Sequence, residues 1–86
     1  TYDVKAYPNP TIDNFTLEMN GLDNGDYNLK MYNIIGKNIK TVPFRITGDT
    51  KLNVEISDLD AGTYIYRIIN NKNQSLLTRR IVVIKP

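Results

Sequence analysis

Polar and apolar residues alternate with a period of two along most of this chain, and no helical period of 3.6 is sustained. Tyr2, Val4 and Ala6 alternate with Asp3 and Lys5, and Phe15, Leu17 and Met19 with Thr16 and Glu18. Tyr27, Leu29 and Met31 alternate with Asn28 and Lys30, and Leu52, Val54 and Ile56 with Asn53 and Glu55. Tyr64, Tyr66 and Ile68 form one face of a further run. Ile39 and Thr41 open a strand that continues past Pro43 through Phe44 and Ile46, and residues 76–85 make the last strand. Successive side chains of a strand point to opposite faces, so this pattern predicts strands with one buried face.

The breaks carry turn chemistry. Asn20-Gly21 and Asn24-Gly25 tolerate the left-handed region, Ile35-Gly36 reads as a hairpin tip, and Gly48-Asp49, Asp58 to Gly62 and Asn70 to Asn73 complete the set. Seven short strands with turns at this spacing predict an all-β fold, a seven-stranded antiparallel immunoglobulin-like β-sandwich. No internal repeat or low-complexity segment stands out.

Two local motifs sharpen the picture. In Ala6-Tyr7-Pro8-Asn9-Pro10 the two prolines remove backbone donors and fix φ, which closes a short first strand and turns the chain toward Phe15. Proline-flanked edges also resist wrong pairing. In Leu59-Asp60-Ala61-Gly62-Thr63-Tyr64 the tyrosine follows a turn at the start of a late strand. This suits a tyrosine corner, with the ring in the core and the hydroxyl capping backbone a few residues upstream. Leu59 then plugs the sandwich end and Gly62 permits the tight entry.

Length and composition narrow the function. The 86 residues allow a single domain, 1–86, and Thr1 suggests a piece of a longer protein. A chain this short buries only about 60% of its unfolded surface, and without cysteine no disulfide assists. The net charge is +2 with the basic residues scattered, so no stripe for nucleic acid forms. Arg79-Arg80 is the one basic pair, and on a strand its members point to opposite faces. No apolar run reaches the roughly 20 residues of a membrane span.

His, Cys and Trp are absent, which removes the usual catalytic base, the thiolate nucleophile and the common zinc ligands. Asp23 with Asp26, and Asp58 with Asp60, are the candidate carboxylate pairs, but both sit in glycine-containing turns that favour aspartate for structural reasons. Asp23 to Asp26 faintly resembles a calcium loop and lacks its terminal glutamate. Asn14-Phe15-Thr16 and Asn73-Gln74-Ser75 fit the glycosylation pattern, a short one that arises by chance. No catalytic residue, metal site or cofactor is expected.

The last strand is more telling. Arg79-Arg80-Ile81-Val82-Val83-Ile84-Lys85 places four apolar residues in a row, where a strand with one wet face should alternate. If it pairs with the Tyr64 strand, Ile65, Ile69, Val82 and Ile84 would form an outward apolar strip, a surface that wants a partner.

These features occur in a specific order: Tyr7-Pro8-Asn9-Pro10, the stretch 27–41 with Gly36-Lys37 at its tip, the stretch 56–68, and a basic, β-branched final strand. Over nearly the whole chain this order resembles the type A C-terminal sorting domains of the type IX (Por) secretion system of Bacteroidetes. The resemblance implies a non-catalytic module at the C-terminal end of a secreted protein, following an N-terminal cargo domain. It implies recognition in the folded state by an outer-membrane translocon, passage through the periplasm, and delivery to the cell surface or medium. The implied partners are that translocon, its shuttle protein and a sortase-like surface peptidase. Family motifs fall on Pro8, Asn9, Pro10, Gly36, Lys37, Leu59, Gly62 and Tyr64, mainly structural, and the recognition segment corresponds to Thr78, Arg79, Arg80, Ile81, Val82, Val83, Ile84 and Lys85. Pro86 departs from the family's usual ending. A strand of this kind at a sheet edge suits pairing with a receptor strand. The rival reading is an adhesion or carbohydrate-binding sandwich, with Tyr7 and Tyr32 as its best exposed aromatics.

Overall fold

A computed structural model describes residues 2–85, so Thr1 and Pro86, with the expectations attached to them, lie outside the described residues. Seven strands form in chain order: β1 (Asp3–Tyr7), β2 (Asn14–Asn20), β3 (Gly25–Tyr32), β4 (Asn38–Ile46), β5 (Thr50–Glu55), β6 (Gly62–Asn70) and β7 (Ser75–Val83). They build two antiparallel sheets, ordered β1-β2-β5 and β4-β3-β6-β7. The expected immunoglobulin-like sandwich is therefore the observed architecture.

The period-two pattern explains which face each strand buries. Phe15, Leu17 and Met19 of β2 face Leu29, Met31, Tyr66 and Ile68 of the other sheet in one continuous core. Phe15 and Tyr66 touch across it with ring centroids 6.0 Å apart, and Tyr27 stacks on Phe44 at 5.7 Å. Each such fully buried side chain contributes about 1.5–3 kcal/mol of hydrophobic stabilisation. Pro43 lies within β4, paired with Asn28, and β4 is an outer strand of its sheet. An outer strand tolerates proline where its missing N–H would face away from the neighbour.

The structure corrects one reading of the sequence: the chain contains an internal repeat with an offset of 37 residues. Leu22, Asp23, Gly25, Tyr27, Asn33 and Thr41 recur as Leu59, Asp60, Gly62, Tyr64, Asn70 and Thr78. The geometry repeats with them. Tyr27 donates its hydroxyl to the Asp23 carbonyl at 2.6 Å, and Tyr64 donates to the Asp60 carbonyl at 2.7 Å. Gly25 and Gly62, with φ of 148° and 157°, make the same entry into β3 and β6. The side chain of Asn33 accepts from the amides of Ile35 and Lys37, and that of Asn70 from Lys72 and Gln74.

Even the bulge recurs: the β3–β4 register shifts after Met31–Lys40, and the β6–β7 register after Ile68–Leu77. Two copies of one corner-strand-hairpin unit thus form the four-stranded sheet. Because β3 and β6 pair antiparallel, equivalent features lie at opposite ends of the sandwich.

Candidate functional site

The region around β7 gathers most of the residues singled out in the sequence. β7 is an outer strand of the four-stranded sheet, paired on its inner side with β6. Thr78, Arg79 and Arg80 are all exposed, and burial alternates only from Arg80 to Val83. Ile81 and Val83 point inward and are fully buried, 0% and 1% exposed, while Arg80 and Val82 point outward. The run of four apolar residues therefore divides between two jobs: Ile81 and Val83 fill the core, and Val82 is half-buried on the outer face. Ile84 lies past the strand and is exposed.

Of the outward strip, Ile65 is half-buried opposite Arg80. Ile69 is buried yet stands outside the main core cluster, so this face is less open than its sequence suggests.

The outer edge of β7 is only partly free. The amide of Thr11 donates to the Val82 carbonyl, and the amide of Ile84 donates to the Thr11 carbonyl, both at 2.8 Å. Asn9 extends this covering with its side chain. Its Oδ1 accepts from the Val82 amide at 3.1 Å, and its Nδ2 reaches the Arg80 carbonyl at 3.5 Å. Pro8-Asn9-Pro10 thus does more than end β1. It carries an amide side chain to the edge strand and satisfies it as a neighbouring strand would.

Further along the same edge, the Tyr2 hydroxyl donates to the Leu76 carbonyl. Arg79 crosses to the other sheet and donates to the Val4 carbonyl. Between these contacts lies Thr78. It shares the orientation of Arg80 and Val82, so its amide and carbonyl face the outer edge.

The remaining motif residues are structural in placement. Gly36, at φ 88°, makes the β3–β4 tip, and Lys37 follows it, exposed. Leu59 packs on the core and Tyr64 makes its corner as expected. Burial, aided by the Asp60 charge, raises the Tyr64 pKa, and burial with Asp23 does the same for Tyr27. Lys85 donates to the Ser57 carbonyl at 3.2 Å.

Two of the four candidate carboxylates are held in ion pairs of their own. Asp26 pairs with Arg45 at 3.0 Å and Asp58 with Lys40 at 3.3 Å. Among the described residues no group of acidic or other metal-binding side chains assembles. Asn73, the second glycosylation candidate, takes the left-handed conformation at the β6–β7 tip, φ 63°. Tyr7 sits on the three-stranded sheet with its hydroxyl on Glu18, whereas Tyr32 sits on the four-stranded sheet under the Arg67 guanidinium. The two aromatics do not share one platform.

Comparison with known proteins decides the family. The model of the family described as secretion system C-terminal sorting domain matches residues 5–84. This chain belongs to that family. No curated protein sequence matches it significantly. Among solved structures, the chain is similar to dimeric latent PorU from Porphyromonas gingivalis, with a TM-score of 0.81 at 16% identity. The superposition covers 100% of this chain and 9% of that one, so the sorting domain spans a small part of its longer structural neighbour. At this identity the likeness establishes the fold. Family membership makes the domain a type IX sorting signal, which implies export to the cell surface or the extracellular space.

Proposed function

We propose that this sorting domain is read in its folded state by the type IX outer-membrane machinery and carries an N-terminal cargo across the outer membrane. The translocon, its shuttle protein and a sortase-like surface peptidase are its partners, and the periplasm is its compartment in transit. The domain is the address, and any chemistry belongs to the cargo. The observation that carries this reading is the family match over residues 5–84, on a fold whose motif residues serve the architecture. Asn9, Gly36, Leu59, Gly62 and Tyr64 all build edges, turns or corners. Such a signal needs a rigid shape to be recognised and has no use for a reactive pocket.

Within this reading Thr78 to Lys85 form the recognition segment, with the outward-facing backbone of Thr78 and the outward side chains of Arg80 and Val82 as contact points. A receptor strand would find the Thr78 amide and carbonyl unpaired among the described residues, and covered groups at Arg80, Val82 and beyond.

The test fuses the chain behind an exported reporter in a bacterium that possesses the secretion system. The wild-type fusion should place the reporter at the surface or in the medium. Deleting 78–86 is a poor control, because it strips Ile81 and Val83 from the core. The better variants are Thr78→Pro, which removes the edge donor, and Arg80→Glu, which reverses an exposed charge. A wild-type fusion that stays in the periplasm refutes the sorting role. Full export of both folded variants removes these residues from recognition.

A further inference from the structure

The internal repeat supplies a comparison that the chain makes with itself. The β3–β4 tip, Asn33 to Lys37, and the β6–β7 tip, Asn70 to Gln74, are one turn used twice. Each opens with an asparagine whose Oδ1 accepts two amides, and each places a left-handed residue fourth, Gly36 or Asn73. Between these fixed points one copy carries Asn71-Lys72 and the other Ile34-Ile35. The first pair is what an exposed turn ordinarily holds. The second pair is 75% and 82% exposed, the two highest values among the exposed large apolar side chains. The turn therefore does not require isoleucine, and the core gains almost nothing from it.

The surroundings are equally uneven. Of the six exposed large apolar side chains among the described residues, five lie toward one end of the sandwich: Tyr7, Ile12, Ile34, Ile35 and Ile84. The strand registers bring the end of β1, the start of β2, the β3–β4 tip and the end of β7 to that end. It is also where the recognition segment finishes.

We infer that Ile34 and Ile35 form a rigid apolar prong that inserts into an apolar pocket of a folded protein of the export machinery. This inference rests on the sorting role proposed above and adds a second contact, on a different hairpin from β7. The size of the prong selects the occupant. The two side chains offer roughly 250–300 Å² of apolar surface, against about 800 Å² per partner in a stable interface. That is too little for a second copy of the chain to pair through the tip alone. It matches an anchor within a larger contact, where a few buried side chains supply most of the affinity. A lipid surface is the poorer fit, because Asn33, Gly36, Lys37 and Asn38 flank the pair and no aromatic residue stands within the tip. Pre-organisation also favours a pocket, since Asn33 already fixes the tip and little conformational entropy remains to be lost.

The domain supplies its own control variant. Replacing the pair by the residues of the other copy, Ile34→Asn with Ile35→Lys, should preserve the turn, because the same geometry is already made with that pair. In the reporter fusion this double variant should lower surface delivery by about tenfold or more, as expected for a hot-spot pair, with an unchanged melting temperature. Asn71→Ala with Lys72→Ala at the opposite tip should leave export unaltered. Wild-type export together with equal export of the Ile34/Ile35 variant overturns the prong and leaves the sorting role standing. Failure of the wild-type fusion itself overturns the sorting role. Two further measurements separate the occupants. Flotation with phosphatidylethanolamine–phosphatidylglycerol vesicles should retain no protein, and sedimentation at 100 µM (an assay setting, about the upper range for weak self-association) should give a monomer. Binding to vesicles, or dimerisation, that the double variant abolishes would overturn the protein pocket in favour of lipid or self-association.

Discussion

Tyr64→Phe and Tyr27→Phe provide a quantitative test of the repeated corner. Each substitution keeps a ring that is almost fully buried and removes only a hydroxyl. Each hydroxyl donates to a carbonyl four residues upstream, at 2.7 Å from Tyr64 and 2.6 Å from Tyr27. A hydrogen bond of this kind contributes about 0.5–1.5 kcal/mol net, and stranding its partner costs more only if water cannot reach it. Asp23 and Asp60 lie on exposed loops, so solvent can take over the carbonyls. The expected loss is therefore about 1 kcal/mol per substitution. For a domain of this size that lowers the melting temperature by about 4–8 °C.

The two corners lie at opposite ends of the sandwich, too far apart to share partners. The double variant should lose the sum, about 2 kcal/mol, within roughly 0.5 kcal/mol. Urea unfolding followed by tyrosine fluorescence or circular dichroism gives both numbers from the midpoints, with the slope unchanged. A loss below about 0.3 kcal/mol for either single variant would show that the corner is decorative. A markedly smaller loss at Tyr27 than at Tyr64 would break the equivalence of the two copies.

Other consequences are open to direct measurement. Asn9→Ala should destabilise by about 1–2 kcal/mol, because it strips the Val82 amide of its acceptor, and hydrogen exchange at Val82 should quicken while the β3–β6 amides stay protected. Gly62→Ala places a Cβ in a conformation that L-residues rarely adopt and should cost more than about 1 kcal/mol, measured by urea denaturation, although no neighbour blocks the space. The hydrogen bond from Tyr7 holds the Glu18 carboxyl below its usual pKa, with help from Lys51 and Lys5. A lowered folded-state pKa adds stability that is full above the unfolded value, about 4.3, and is lost as pH falls through the folded one. Tyr7→Phe should therefore flatten the stability–pH curve between about pH 5 and the acid limb, and an unchanged slope would remove this contact from the account.

The strands themselves were legible because their signal is local. A period of two over five to nine residues fixes which side chains face inward, and turn residues set the ends. The Tyr64 corner was readable for the same reason, since all its parts lie within Leu59 to Tyr64. Its twin at Tyr27 is equally local, but Asp23 to Asp26 also has the composition of an ordinary carboxylate-bearing turn, and only the bond from the Tyr27 hydroxyl to the Asp23 carbonyl shows it to be the entrance to a strand. The repeat holds few identities, and only the matching registers and bulges make it plain. In the last strand the sequence could place four apolar residues in a row, but the other sheet decided that Ile81 and Val83 belong to the core and Val82 to the outer face.

Asn9 marks the limit most clearly. Proline chemistry determined that β1 must end there, because Pro8 and Pro10 lack amide hydrogens. That the asparagine between them covers the edge of β7 depends on Arg80 and Val82, more than 70 residues away in the chain. Local sequence thus determined strands, turns and faces through short-range sterics and alternation. Only the tertiary structure decided which groups of the β7 edge Asn9 and Thr11 cover, and which turn presents apolar side chains to solvent, because those depend on what the folded chain brings alongside.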